Sequence, residues 1–249
     1  MKEFIIDDIY KFVAREGDGN IWDVYENGKK IENPNSLYKF YVLNAYSLDS
    51  LYRNYFYLAN PSTFNDPFDC NVNIATDIKG IETLKTVQRN NYSSAGVCCL
   101  TETIDNHLLW AHYTNNYNGF ALQFDEMKIE TSLEEYKAYG LRPVIYPVKP
   151  KRVSTKEPYA HQYLFTTKLN HWKYEREWRI VTDLKNDNRE MHYSISNLKG
   201  IYVGHKIVDN NLGLYKMLLE IQETKYPDAS VYVVYPHPTD LKLEFEKVI

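Results

Sequence analysis

One ten-residue segment, residues 172–181 with the sequence WKYEREWRIV, constrains the fold of this chain more than any other. Charged and apolar side chains alternate along it, and a β-strand places alternate side chains on opposite faces of a sheet. As a strand, the segment carries Glu175, Glu177 and Arg179 on one face and Tyr174, Arg176, Trp178 and Ile180 on the other. The two carboxylates then lie about 7 Å apart, close enough to raise each other's pKa.

Two interpretations of this strand stay open. In the first, Glu175 and Glu177 belong to a functional site, because carboxylates with perturbed pKa values concentrate at such sites. In the second, the segment is a solvated edge strand whose glutamates pair with Arg176 and Arg179, because charge alternation is common on exposed sheet faces.

The composition is that of a globular protein, with 44% hydrophobic and 25% charged residues in a chain of 249. The formal net charge of −4 argues against a basic surface that coats nucleic acid without specificity. The chain has no apolar stretch of membrane-spanning length, and its acidic N-terminus lacks the basic start of a signal peptide. We therefore expect a cytoplasmic protein that does not contact a membrane.

The three cysteines, Cys70, Cys98 and Cys99, form no CxxC pair. This pattern predicts neither a disulfide framework nor a cysteine zinc site, so we expect the cysteines to be small core residues.

The order of predicted elements favours an α+β fold, in which a curved mixed or antiparallel sheet is flanked by short helices. Residues 1–34 are predicted to form an N-terminal extension, with a helix over residues 6–15 and a hairpin strand over residues 21–25. Residues 35–249 are predicted to form a single α+β domain of catalytic type. Further predicted elements are helices over residues 78–89, 159–172 and 210–225 and strands over residues 119–125 and 143–148.

Residues 61–70, PSTFNDPFDC, predict a rigid turn. Prolines near both ends fix φ, and Asn65 and Asp66 can bond the backbone two residues on. Asn65, Asp66 and Asp69 are therefore either structural parts of this turn or ligands and orienting groups of a site.

Residues 110–119, WAHYTNNYNG, predict the end of a helix that is terminated by glycine. Trp110 and Tyr113 are three residues apart and share a helix face, whereas His112 is turned away from them. His112 either interacts with the helix macrodipole or, like Tyr113, lies beside the glutamate pair, where it would stack on a ring or bond a ribose.

Several separate segments resemble the bacterial domain of unknown function family 2971, in order and in spacing. These segments are LYKFY at 37–41, PSTFNDPFD at 61–69, CLTET at 99–103, LLWAHYTNNYNGFALQFD at 108–125, KLNHWKYEREWRIV at 168–181 and GIYVG at 200–204. The resemblance spans roughly residues 37–240 and implies a unit of domain size, but the family name implies no chemistry.

The order of motifs also resembles that of ADP-ribosyltransferases, which have a basic or aromatic residue on a first strand and a glutamate pair on a late strand. The resemblance implies an ADP-ribosyltransferase-like fold and NAD as the substrate, with no metal. It implies NAD contacts from Lys39, Tyr41, Thr101, His112 and Tyr113, and a catalytic role for Glu177 with Glu175 as its helper. The first strand carries Lys39 where those enzymes usually have Arg or His, so Arg53 is a substitute candidate.

Such an enzyme stabilises an oxocarbenium-like state with a carboxylate near the ribose. The same resemblance implies a bacterial toxin or phage-defence effector that modifies a nucleic acid or a protein. An antitoxin or chaperone partner would restrain it.

Two alternatives stay open beside the transferase. A metal-dependent nuclease or phosphoesterase would use Asp66, Asp69, Glu175 and Glu177 as Mg²⁺ ligands, with Lys168 and Arg179 on the phosphate. A non-catalytic binding module would instead contain a buried ion-pair network that includes Glu175 and Arg179.

Overall fold

The computed structural model describes residues 2–15, 21–70, 74–77, 86, 92–125, 138–184 and 187–249 of the chain. The chain forms two compact units. The first unit comprises Met1–Asn33, Leu58–Cys99 and Ile129–Arg189, and the second comprises Pro34–Tyr57, Leu100–Lys128 and Glu190–Ile249. The predicted single domain over residues 35–249 stays a prediction.

Strands predominate in the described residues, and the sheets are open, with a few short helices. The strands are β1 Glu3–Ile5, β2 Tyr10–Ala14, β3 Trp22–Glu26, β4 Lys29–Lys30, β5 Ser36–Val42, β6 Tyr55–Tyr57, β7 Ala95–Thr101, β8 Gly119–Asp125, β9 Ala138–Pro143, β10 Glu177–Asp183, β11 Glu190–His192, β12 Leu198–Gly204, β13 Ser230–Pro236 and β14 Leu243–Lys247. The α-helices are α1 Ala45–Tyr52, α2 His107–Tyr113, α3 Ala160–Phe165, α4 His205–Asn210 and α5 Leu212–Lys225. The mixed character of the predicted fold is confirmed.

In the first unit, β1, β2, β3 and β4 form an antiparallel sheet in chain order. The helix predicted over residues 6–15 is wrong, because residues 6–9 turn between β1 and β2 and residues 10–14 form β2. The Asp7 carboxylate accepts the backbone N–H groups of Ile9 and Tyr10 at 2.9 and 2.7 Å, which fixes the turn. Tyr10 and Phe12 then alternate into the core as a strand requires.

Helix α3 packs against this sheet through Tyr163 and is also hydrogen-bonded to it through Gln162. Its amide oxygen accepts the N–H of Trp22 at 3.1 Å, and its amide nitrogen donates to the carbonyl of Trp22 at 2.8 Å. Gln162 is 3% exposed, so this pair of hydrogen bonds is sheltered from water. It satisfies two backbone groups that would otherwise be buried without partners.

The first unit also contains β10, which lies between β7 and β9. Strand β9 pairs antiparallel with β10, and Arg142 lies opposite Arg179. The strand predicted over residues 143–148 is wrong, since β9 ends at Pro143. The helix predicted over residues 159–172 is shorter than expected, because α3 ends at Phe165.

In the second unit, β14, β13, β12, β8 and β5 are neighbours in this order. Strands β12 and β13 are parallel, and their crossover contains α4 and α5. The other neighbouring pairs in this group are antiparallel, and β5 and β8 pair over seven residues. The predicted helix over residues 210–225 is confirmed as α5. The helix predicted over residues 78–89 lies outside the described residues apart from Thr86.

Candidate functional site

Five charged side chains of the first unit form a buried charge cluster: Asp69, Lys168, Glu175, Glu177 and Arg179. The ammonium of Lys168 contacts all three carboxylates. Its Nζ lies 2.5 Å from Glu175 Oε2, 3.3 Å from Glu177 Oε2 and 3.7 Å from Asp69 Oδ2. Three carboxylates and two cations leave the cluster with one formal negative charge.

Arg179 is the most buried member, with no exposed surface. Its guanidinium binds Glu177 through Nε at 2.7 Å and Nη2 at 2.9 Å, and it binds Asp69 through Nη1 and Nη2, both at 2.7 Å. Nη1 also donates to the Phe165 carbonyl at 2.9 Å. Bidentate bonds to two carboxylates fix the guanidinium plane and offset the cost of burying its charge.

The backbone brings Glu175 and Glu177 to the cluster by a route that differs from the predicted strand. Residues Asn170–Glu175 form a 3-10 helix, Arg176 adopts the left-handed conformation with φ of 45°, and β10 begins at Glu177. The strand predicted from residue 172 is therefore wrong in its first half. The interpretation as a solvated edge strand is also wrong, because the two glutamates are 3% and 5% exposed.

Opposing charges set the protonation of the cluster. Burial alone would raise the pKa of Glu177, but Arg179 and Lys168 outweigh burial and lower its pKa to about 2. Burial also disfavours the ammonium of Lys168, yet the neighbouring carboxylates, chiefly Glu177, raise the pKa of Lys168. Glu177 is thus a permanent carboxylate at neutral pH, which excludes it as a general acid there.

The turn at residues 61–70 contributes one cluster member. Asp69 binds Arg179, whereas the Asp66 carboxylate accepts the backbone N–H of Phe68 at 2.8 Å within the turn itself. Asn65 is exposed. Of the three polar side chains that the sequence singled out in this turn, the structure places Asp69 in the cluster.

Two half-buried aromatic rings lie against the cations of the cluster. The ring of Phe64 lies 5.4 Å from the guanidinium carbon of Arg179, and the ring of Trp172 lies 4.9 Å from Lys168 Nζ. Both distances are those of cation–π contacts. Sequence reasoning did not assign Phe64 or Trp172 to the site, and it considered Lys168 only as a phosphate contact. The one available signal was the position of Trp172 three residues before Glu175, which is one helical turn.

The remaining predicted NAD contacts belong to the second unit. Lys39 and Tyr41 are both on β5, and Lys39 Nζ lies 5.6 Å from the centre of the Tyr41 ring. Arg53 is exposed, and its guanidinium binds Glu190 at 2.5 and 2.9 Å.

Thr101 and the helix-end pair also have local contacts. The Thr101 hydroxyl accepts the N–H of Thr103 at 3.1 Å, and His112 and Tyr113 make an edge contact at the end of α2. The convergence of these second-unit residues with Glu175 and Glu177 stays a prediction.

The ligand set of the phosphoesterase alternative is divided. Asp69, Glu175 and Glu177 surround the Lys168 ammonium, and Asp66 bonds within its own turn. Across the part of the chain that the structure describes, no group of three or more His, Cys, Asp and Glu side chains is placed to hold a metal ion.

None of the helices in the described residues is long and apolar enough to cross a membrane.

Together, the fold and the site define a mixed α/β protein, mostly sheet, with a buried charge cluster. Residues 109–180 match the model of a family described as Protein of unknown function (DUF2971). This match confirms the predicted family resemblance, and its range includes Lys168, Glu175, Glu177 and Arg179 but not Asp69. Searches of curated proteins and of solved structures gave no match.

Proposed function

We propose that the chain is an ADP-ribosyltransferase-like enzyme that uses NAD to modify a nucleic acid or protein acceptor. The observation that carries this proposal is the composition of the buried charge cluster. Asp69, Glu175 and Glu177 outnumber Lys168 and Arg179, and two half-buried aromatic rings lie against the cations.

The net negative charge of the cluster and the two adjacent aromatic rings suit the chemistry of NAD cleavage. The nicotinamide ring of NAD is a planar cation, and Phe64 and Trp172 offer surfaces on which such a ring can stack. Breaking its bond to ribose develops positive charge on the sugar, and a fixed carboxylate stabilises that charge. The low pKa of Glu177 keeps this carboxylate ionised throughout the physiological range.

The hydrogen bonds of the cluster limit how a ribose can bind. Glu177 accepts two bonds from Arg179, one from Lys168 and one from Cys99, so a ribose hydroxyl must replace one of these donors. Among the bonds from the two cations, the one from Lys168, at 3.3 Å, is the longest and is not bidentate. In this proposal Arg179 therefore holds Glu177 in place, and the Lys168 contact is the one that NAD displaces.

The direct test is a calorimetric and thermal-shift titration of the whole chain with NAD, combined with an assay for released nicotinamide. We expect NAD to raise the melting temperature and to be cleaved slowly. Glu175→Gln and Glu177→Gln should remove cleavage, and Trp172→Ala should weaken NAD binding by removing a stacking surface. Glu3→Gln, a change at the surface ion pair with Lys11 and outside the cluster, should leave both measurements unchanged. The absence of both NAD binding and nicotinamide release would contradict the proposal.

A second candidate function is a non-catalytic binding module, and the completeness of the ion pairs in the cluster favours it. The side-chain hydrogen bonds of Arg179 and Lys168 join them to carboxylates of the first unit, as expected of a structural network. Under this candidate, NAD has no effect, and Glu177→Gln lowers stability without removing any activity.

The proposed biological setting follows the enzyme proposal. A transferase of this kind would act as a bacterial toxin or phage-defence effector and would be restrained by an antitoxin or chaperone. Loss of growth arrest in Glu175→Gln, when the chain is expressed without a partner, would support that setting.

A further inference from the structure

The first unit contains a cavity of about 280 Å³ at its N-terminal sheet. The end of β2, strand β3, the residues after β4 and the end of β9 form its walls. The side chains in its walls that determine its charge and hydrogen bonding are Arg15, Trp22, Asp23, Lys30, Glu32 and Arg142. The volume lies near the lower limit for small-molecule sites, so an occupant would be small.

Trp22 lines this cavity and carries a hydrogen-bond donor. The residue is 3% exposed, and its backbone is fixed by the two bonds to Gln162. Its indole Nε1–H is buried and has no acceptor among the residues that the structure describes. A buried donor without a partner is unfavourable, so an acceptor supplied by a ligand would be bound favourably.

The charges around the cavity favour an anion. Arg15, Lys30 and Arg142 carry three positive charges, against two negative charges on Asp23 and Glu32. Asp23 is paired with Arg15 at 2.5 Å and with Lys30 at 3.1 Å. Burial alone would raise the pKa of Asp23, but these two cations lower it, so the carboxylate is ionised and the cavity keeps one positive charge in excess.

We propose that this cavity is a binding site for a small metabolite that carries an oxyanion, either a carboxylate or a phosphate group. One oxygen of the anion accepts the Nε1–H of Trp22, and Lys30, Arg15 and the 8% exposed Arg142 supply the compensating charge. The site is independent of the proposed transferase activity, because it involves none of the charge-cluster residues.

The test is a ¹⁵N-edited NMR titration that follows the indole N–H resonances of the whole chain. Acetate and inorganic phosphate are the probes, with sodium chloride at matched ionic strength as the reference, and Trp22→Phe assigns the resonance. We expect a saturable shift of the Trp22 resonance with at least one probe. The Trp110 indole already donates to the Ile104 carbonyl at 2.7 Å and should not move. The probe that binds more tightly shows whether the site prefers a carboxylate or a phosphate.

Two exposed cations provide matched variants. Lys30→Gln should weaken the binding of the probe by several-fold, because Lys30 lines the cavity. Lys11→Gln should leave the affinity unchanged, because Lys11 is bound to Glu3 at 3.1 Å elsewhere on the same sheet. Equal weakening by both variants, a shift that chloride reproduces, or no shift with either probe would overturn the proposal.

Discussion

Arg176 shows how the conformation of one residue organises the charge cluster. Its left-handed backbone, with φ of 45°, ends the 3-10 helix and starts β10. Non-glycine residues adopt this conformation uncommonly, and such residues concentrate at turns and functional sites. As a result, Glu175 at the end of the 3-10 helix and Glu177 at the start of β10 both contact the ammonium of Lys168.

At the residue scale, we predict that Glu177→Gln lowers the free energy of unfolding by about 3 kcal/mol. The amide would direct N–H groups at Arg179, so a donor would face a donor in a buried site. Urea unfolding measures the change. Glu190→Gln is the control, since its ion pair with the exposed Arg53 is screened by solvent and should contribute little. Equal losses in the two variants would show that the cluster does not stabilise the fold.

Local sequence could identify part of the cluster. The alternation of residues 172–181 singled out Glu175, Glu177 and Arg179, because charged residues between large apolar ones stand out along the chain. The same pattern could not assign Lys168 to the glutamates or Asp69 to Arg179. Asp69 lies 110 residues from Arg179, and only the folded chain brings the two together.

Element by element, the prediction succeeded where hydrophobic patterning was continuous. The strand over residues 119–125 and the helix over residues 210–225 appear as β8 and α5. The helix predicted over residues 6–15 was wrong because its apolar residues fit both helical and strand periods. The turn at Asp7 favours the strand over the helix, and a single aspartate is its only indication in the sequence.

At the element scale, we predict that Gln162→Ala removes the hydrogen bonds that join β3 to α3, while the packing of Tyr163 against Phe12 remains. The change leaves the N–H and carbonyl of Trp22 without partners in a buried site and should cost about 2–4 kcal/mol. Hydrogen exchange of the Trp22 amide should accelerate markedly.

Gln222→Ala is the matched control, because Gln222 is similarly buried and also makes two bonds to the backbone, from its amide nitrogen to the carbonyls of Tyr226 and Ala229. It should lower stability by a similar amount while leaving Trp22 exchange little changed. If both variants accelerate Trp22 exchange equally, Gln162 has no local role.

At the scale of the whole molecule, the cluster makes folding stability sensitive to acid. The folded pKa of Glu177 is about 2, below its ordinary value of 4.5. Its contribution is therefore present above pH 4.5 and is lost as the pH falls towards 2. We predict a decrease of roughly 3 kcal/mol in the free energy of unfolding over this window, since one pKa unit corresponds to about 1.4 kcal/mol.

Urea unfolding at several pH values across this window measures the effect. Glu177→Gln should start from a lower stability and show a shallower decline, because it lacks the titrating carboxylate. A variant with the slope of the parent chain would assign the acid sensitivity to other groups. On the alkaline side, the pKa of Lys168 is raised, so its contribution is fully present below the ordinary value of 10.5 and is lost as the pH rises from there towards the folded pKa.

The Gln162 side chain also has a consequence for chemical ageing. Its amide presents one donor and one acceptor to Trp22, as a neighbouring strand would. Deamidation would convert it to a carboxylate, which is the same size but has no N–H to donate. A negatively charged oxygen would then face the Trp22 carbonyl in the protein interior. Slow hydrolysis at this one amide would therefore remove the polar link between α3 and β3 without cutting the chain.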